Sequence, residues 1–321
     1  MVHSSRRAAL LTPAAVDRRL RGVDESTTST RAAGMPEACE PSLPSPAPRV
    51  LAVVLTWNGR EDTLACIDSL LRLDYPRFDV LVVDNASTDG TVPALHERFG
   101  SRIEILSNER NLLFAGGMNL GLERAQRQGY DFALILNNDT VLDPGMLRAL
   151  VACAAADVRI AAVGPKIYYY HSPDRLWFAG GELSLWRGWS RHRGLRQLDR
   201  GQYERATDAD YLTGCAMLLR TAALADVGLL DTGYGMYAED ADWCFRARAR
   251  GYRLVFAPAA RLWHRVSAAS GARSRFKIQW RLRSQWRFLL RHARWYHWLT
   301  IPLYTVAEGL RVGMDLLRRR I

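Results

Sequence analysis

Two apolar runs rich in branched residues each end in an acidic, asparagine-bearing turn. Val80-Leu81-Val82-Val83 leads into Asp84-Asn85-Ala86-Ser87-Thr88-Asp89-Gly90, and Phe132-Ala133-Leu134-Ile135-Leu136 leads into Asn137-Asn138-Asp139. Short continuous apolar runs suit strands buried on both faces, which is the habit of a parallel sheet. A carboxylate at the carboxyl end of such a strand points into the crevice where α/β sheets hold nucleotides. One such group can read a base and the other can hold a metal on phosphates. A third cluster, Glu239-Asp240-Ala241-Asp242, can supply a general base. Together these residues imply an enzyme acting on a nucleotide-activated substrate.

The pattern around the two turns alternates. Val50–Thr56 reads as a strand, Glu61–Leu73 as a helix with Leu64, Ile67, Leu70 and Leu71 at helical spacing, Asp79–Val83 as a strand and Thr91–Phe99 as a helix. A short strand at Ile103–Leu106, a helix from Gly117 to Gln128 and a strand at Phe132–Leu136 follow. Pro144 opens a helix reaching Ala156, and Ala161–Val163 reads as one more strand. Strands alternating with helices of this length imply a parallel, doubly wound sheet with right-handed crossovers. Beyond Tyr168 the pattern loosens into an aromatic, glycine-containing region expected to be rich in loops. A helix is expected over Ala238–Arg250, ended by Gly251, and a short strand over Leu254–Phe256.

Charge is unevenly spread. The chain has 321 residues and a net charge of +11, but the stretch from Arg261 onward holds fourteen Lys/Arg against Glu308 and Asp315, a local +12 that leaves the preceding body at −1. The basic character thus belongs to the tail, which argues against nucleic acid as a partner of the domain and for an anionic surface met by the tail. There, arginines 281, 283, 287, 291 and 294 interleave with Trp280, Trp286, Phe288, Trp295 and Trp298, a mixture that suits a helix lying in an anionic membrane interface. A solvated basic face on helices packed against the domain fits the composition equally well. The uncharged stretch from Trp295 to Ala307 is too short to span a bilayer, which needs ~20 apolar residues. Residues 1–48 are rich in Ala, Ser, Thr, Pro and Arg and read as a disordered leader. The five cysteines are scattered without metal-ligand spacing, as expected of core thiols in a reducing cytosol.

In order and spacing, Thr56-Trp57-Asn58, Asp84 to Gly90, Asn111 to Gly121, Asn137-Asn138-Asp139, Gly214-Cys215-Ala216, Glu239 to Asp242 and His264 resemble the family-2 glycosyltransferases of GT-A fold. Within that family the resemblance is to rhamnosyltransferase-type enzymes of bacterial surface-polysaccharide assembly. It implies a Rossmann-like, mostly parallel sheet flanked by helices over residues 49–272, followed by a basic, aromatic helical extension over 273–321. It implies an inverting, metal-dependent transfer of a sugar, rhamnose by likeness alone, from a nucleotide-diphosphate donor to a glycan or lipid-linked acceptor. The location it suggests is cytoplasmic, peripheral to the inner face of the cell membrane.

Residue by residue, the resemblance makes Asp84 the acceptor of a hydrogen bond from the base, with Thr56 and Asn58 lining the same pocket. Asn85 and Asp89 join that nucleotide-sugar set, although their turn also suits side chains bonded to their own backbone. Asn111, Gly116 and Asn119 fall on a loop-to-helix element beside the nucleotide, where tight helix packing explains the glycines as well. Asn137, Asn138 and Asp139 occupy the place of the family's Asp-x-Asp metal motif, with only the last residue anionic. Asp139 and His264 are the implied ligands of Mg²⁺ or Mn²⁺; a core histidine is the other reading of His264. Asp240 is the implied base, with Glu239 its competitor. A sugar nucleotidyltransferase and a non-catalytic, membrane-tethered binding protein are the rival readings.

Overall fold

The structure, a computed structural model, describes residues 43–266 and 275–307. The expected leader lies outside the described residues except for 43–48, as do Cys39 and the last part of the tail, 308–321. All described residues belong to one unit, Pro41–Ile321.

Along the chain run β1 (Val50–Thr56), α1 (Arg60–Leu70), β2 (Phe78–Asp84), α2 (Thr91–Phe99), β3 (Glu104–Ser107), α3 (Leu113–Arg127), β4 (Phe132–Asn137), β5 (Thr140–Leu142), α4 (Met146–Ala155) and β6 (Ile160–Tyr169). Next come β7 (Ser172–Phe178), β8 (Gly181–Ser184), β9 (Trp189–His192), β10 (Thr207–Asp208), β11 (Ala216–Arg220), α5 (Thr221–Val227), α6 (Glu239–Ala249), β12 (Arg253–His264) and α7 (Arg275–His292). The main sheet has the order β10-β12-β6-β11-β4-β1-β2-β3. Strands β1 to β4 are mutually parallel, and β11 enters antiparallel between β4 and β6. Strand β1 carries Val50 to Val54 and β2 carries Val80 to Val83, all buried, as expected of strands covered on both faces.

Helix α3 lies directly on β1. A Cβ at Gly121 would overlap Val53, and one at Gly117 would overlap Leu55 and press on the Asn85 amide. Only glycine lets the helix approach this closely, and Gly116, expected on a loop, sits inside the helix because α3 begins at Leu113 rather than Gly117.

Three other expectations are corrected. Strand β12 extends over twelve residues, not three, because its pairing with β6 resumes after a bulge between Ala257 and Arg261. Pro258 lies in that bulge, where a residue without an N–H costs no ladder bond. Strand β6 likewise runs to Tyr169 instead of ending at Val163. The region read as loop after Tyr168 forms β7 on the sheet and a separate β8–β9 hairpin.

The basic tail helix α7 packs against the domain. Its Ser284 hydroxyl donates to the Tyr234 and Met236 carbonyls at 3.1 and 2.6 Å, and Arg287 and Arg291 pair with Asp231. His292 Nε2 lies 2.8 Å from Asp242 Oδ1, which also accepts from the Tyr234 hydroxyl at 2.9 Å, while Arg246 donates to Oδ2 at 2.8 Å. Asp242 is fully buried, and this circle of partners makes it a structural anion. Burial opposes its charge, but His292 and Arg246 outweigh burial and hold its pKa below the ordinary carboxylate value.

Two outcomes follow. Gly121→Ala forces α3 away from β1 and lowers the unfolding free energy by about 1–3 kcal/mol, read as a lower urea midpoint with an unchanged slope. Asp242→Ala removes a buried carboxylate from the half-buried Arg246 and from His292 and costs about 3–5 kcal/mol by the same measurement. Because the Asp242 pKa is depressed in the folded state, its stabilisation is complete above the ordinary carboxylate pKa of about 3.9 and fades as pH falls through the lower folded value.

Candidate active site

The register of three strands sets the floor of a cleft. Thr56 pairs with Asp84 across β1 and β2, and Leu55 pairs with Asn137 across β1 and β4, so Thr56, Asp84 and Asn137 end their strands side by side. Asp84 is 2 % exposed; its Oδ2 accepts the Ser87 N–H at 3.0 Å, and its Oδ1 is buried without a partner. The loops after β1 and β2 are tied together above it. Asn58 Oδ1 accepts the Thr88 N–H at 2.7 Å, and the Asn58 N–H donates to Ser87 Oγ at 2.9 Å. Asp89 accepts from the Arg60 and Thr91 backbone N–H groups and from the Thr91 hydroxyl, so it shapes the turn before α2.

Several residues expected to touch the nucleotide are occupied in building the site. Asn85 donates to Asn111 Oδ1 at 3.2 Å and to the Leu113 carbonyl at 3.1 Å, and accepts from Asn108 at 2.9 Å. Asn111 in turn accepts the Leu113 N–H at 2.8 Å and starts α3. Asn119 uses both ends of its amide on the Leu230 backbone, at 2.8 and 3.0 Å, away from the strand ends. Asn138 donates to Thr56 Oγ1 and Thr63 Oγ1 at 3.2 and 2.9 Å, bracing the turn against α1.

Asp139 and His264 meet because β12 returns antiparallel to β5, with His264 opposite Thr140. His264 Nε2 lies 3.0 Å from Asp139 Oδ1, and the next residue's N–H, Arg265, donates to the Asp139 carbonyl at 2.8 Å. Trp177 packs edge-on against the imidazole, with ring centroids 4.6 Å apart. Burial opposes a charge on His264, but the Cys215 thiol and the Asp139 carboxylate outweigh it and raise its pKa to about 10. The return strand thus brings together the two residues that the resemblance pairs as ligands.

The acid cluster joins the cleft through Gly214-Cys215. The Cys215 carbonyl accepts the Asn137 N–H at 2.9 Å, and the Gly214 N–H donates to Asp240 Oδ2 at 2.8 Å. Asp240 Oδ1 accepts the Ala241 N–H at 2.7 Å. The neighbouring Glu239 is buried and its Oε2 has no partner. Burial, and then the charge of Asp240, push the Glu239 pKa up to about 8, and burial raises Asp240 as well. Tyr237 and Ala238, at φ +69° and +67°, turn the chain sharply into α6, whose first two residues are these acids.

Among the described residues, the buried side-chain polar atoms without a partner are Asp84 Oδ1, Glu239 Oε2, His264 Nδ1 and Arg265 Nε, and Asp139 Oδ1 has none besides the His264 ring 3.0 Å away. Every one belongs to this cleft or to the residue next to His264. Native proteins leave few buried polar groups unsatisfied, so their concentration here points to a place for a ligand. Trp57, 57 % exposed beside Thr56, was quoted in the sequence without a role; its large open ring at the cleft lip is the signal that could have singled it out.

Three comparisons fit this geometry. A protein of Mycobacterium tuberculosis named N-acetylglucosaminyl-diphospho-decaprenol L-rhamnosyltransferase is 28% identical over 261 residues, 75% of this chain and 83% of that protein. The solved structure of GalNAc-T7 with UDP, GalNAc and Mn²⁺ superposes with a TM-score of 0.56 at 16% identity, covering 68% of this chain and 44% of that one. A mannosyltransferase of Pyrobaculum calidifontis in complex with GDP-Man and Mn²⁺ superposes with a TM-score of 0.55 at 18% identity, covering 83% and 75%. The fold they share with this chain is the GT-A fold. Residues 47–296 match the family described as Glycosyltransferase like family 2, and with strand ends, return strand and acid cluster in that arrangement the chain belongs to this family.

Proposed function

We propose that this glycosyltransferase moves a sugar from a nucleoside-diphosphate donor to a hydroxyl of a glycan or lipid-linked acceptor, with inversion at the anomeric carbon. The observation that carries the reading is the pair of unpartnered buried oxygens on Asp84 and Glu239 together with the Asp139–His264 pair at the strand ends. We assign the chemistry to residues 49–272, with 273–321 as a supporting extension. The name of the mycobacterial relative supports L-rhamnose as the sugar and a polyprenyl-diphosphate-linked acceptor.

In this reading Asp84 Oδ1 accepts a ring N–H of the base, a choice enforced because a carboxylate can only accept. Trp57 offers a face for the base to stack on. Asn58, Asn85, Asp89 and Asn111 hold the loops that shape this pocket, and their substitution acts through the shape of the loops. Asn119 anchors α3 to the Leu230 backbone.

Asp139 and His264 fit a divalent cation. Asp139 Oδ1 and His264 Nε2 face each other at 3.0 Å; a bound cation would replace the proton between them, and a carboxylate with a neutral imidazole is a mixed oxygen–nitrogen pair that suits Mn²⁺ and, through oxygen, Mg²⁺. Among the described residues no group of three or more His, Cys, Asp or Glu side chains could hold a metal. In this reading Asp139 and His264 would be the side-chain ligands, with donor oxygens and water completing the shell. When bound, the cation neutralises charge on the departing diphosphate.

Asp240 is the base. Its two backbone N–H bonds fix the carboxylate plane and leave lone pairs to take the acceptor proton. Burial and then the Asp240 charge favour the protonated form of Glu239, and in this reading it serves as a hydrogen-bond donor. As Asp240 takes the proton, the acceptor oxygen bonds to the anomeric carbon, and the bond to the diphosphate breaks on the opposite face. Burial raises the Asp240 pKa toward the working pH, where a general base is most effective.

Asp240→Asn lowers kcat by roughly 10²–10⁴-fold, measured as nucleoside diphosphate release, while the thermal shift produced by nucleoside diphosphate with Mn²⁺ persists. Release of pyrophosphate by the wild type would instead mark a nucleotidyltransferase. Asp139→Ala removes the Mn²⁺-dependent part of that thermal shift; an unchanged shift overturns the ligand assignment. The base works ionised and its pKa is raised, so the acidic limb of the kcat profile lies above the ordinary aspartate value of about 3.9, with the rate rising as pH increases through it.

A further inference from the structure

We propose that the outward face of the C-terminal segment is a docking surface for an anionic lipid bilayer. One face of α7 grips the domain through Ser284, Phe288 and Leu289; the other presents Leu282, Trp286 and Leu290, spaced four residues apart and 52%, 51% and 72% exposed. After a 3-10 turn at Trp295–Leu299 the chain is helical again from Ile301 to residue 307. Trp295 and Leu299 in this turn and Leu303 in the helix after it are 77%, 67% and 70% exposed. The stacked rings of Trp286 and Trp298, 5.9 Å apart and 10° from parallel, bring this turn against the open apolar side of α7. A folded chain rarely leaves so many large apolar side chains open on adjacent turns unless something covers them.

Charge decides what covers them. Residues 275–307 contain seven Lys and Arg and no Asp or Glu. Arg287 and Arg291 are paired with Asp231, whereas the exposed Arg283 and Arg294 flank these apolar side chains, and Arg187 stacks on Tyr304 beside them. A second copy of this chain bound through the same patch about a two-fold axis would set this arginine rim against itself, a costly arrangement. An anionic headgroup layer meets the arginines with opposite charge, and tryptophan is the side chain most at home at the boundary between headgroups and acyl chains. Among the described residues no helix is long and apolar enough to cross a membrane, so the contact is one of lying on the surface.

The full chain is tested by co-sedimentation with vesicles of phosphatidylcholine, with and without phosphatidylglycerol, at low and high salt and without any donor. Turnover is not needed, so the result is independent of the catalytic reading. The wild type pellets with the anionic vesicles at low salt. Arg283→Glu with Arg294→Glu lowers vesicle affinity by roughly tenfold or more. Trp295→Ser with Leu299→Ser and Leu303→Ser abolishes binding while the thermal midpoint, set by the opposite face of the segment, stays in place. Binding that ignores lipid charge or survives both sets of substitutions overturns the proposal. So does a concentration-dependent dimer in sedimentation velocity that the triple variant dissolves, which assigns the patch to a second copy.

Discussion

Strand β1 lies between β2 and β4 and pairs with both in parallel register, Thr56 against Asp84 and Leu55 against Asn137. Parallel strands end at one edge, and the side chains that finish them stand above the same crevice. Slipping this register by one residue would turn Asp84 to the opposite face of the sheet and separate it from the loops that hold it. The packing of α3 on β1 protects the register, since glycines at 117 and 121 admit the helix only where Val53 and Leu55 present their side chains. Close packing and the position of the carboxylates are therefore one constraint.

The cleft is completed from the far side by antiparallel returns. Strand β11 brings Gly214 and Cys215 to the end of β4, and β12 brings His264 opposite Thr140. Each return lands a backbone group or side chain on a carboxylate: the Gly214 N–H on Asp240, the His264 ring on Asp139. The acid cluster sits after two consecutive residues with positive φ, a conformation that costs about 1–3 kcal/mol per residue and persists only under external support. That support comes from α7, whose Ser284 holds the carbonyls of Tyr234 and Met236 and whose His292 contacts Asp242.

What could be read from the sequence follows from the range of the interactions involved. Strands β1, β2 and β4 and helix α2 are encoded locally, by apolar runs and by the turn chemistry of Asp89 and Gly90, and so their places were legible, as was the GT-A fold once the motifs were set in order. Asp84 and Asp139 were legible as strand-ending carboxylates. Asn85, Asn111 and Asn119 were not, because an asparagine that binds a ligand and one that binds backbone look alike until its partners, here Leu113 and Leu230, are brought close. The full length of β12 was hidden by Pro258, which reads as a stop but lies in a bulge. The grip of α7 was hidden because its basic, aromatic composition fits both a solvated face and a membrane face, and the structure gives it one face for the domain and another that is open.

The clamp on the acid cluster also sets an order of assembly. Asp240 precedes Ser284 and His292 by more than forty residues in the chain. While the protein is still being made, the sheet and its strand-end carboxylates can be complete before the segment that steadies Tyr237 and Ala238 has left the ribosome. The strand ends are therefore set by segments that precede α7, whereas the turn into the acid cluster stays unbraced until Ser284 and His292 arrive.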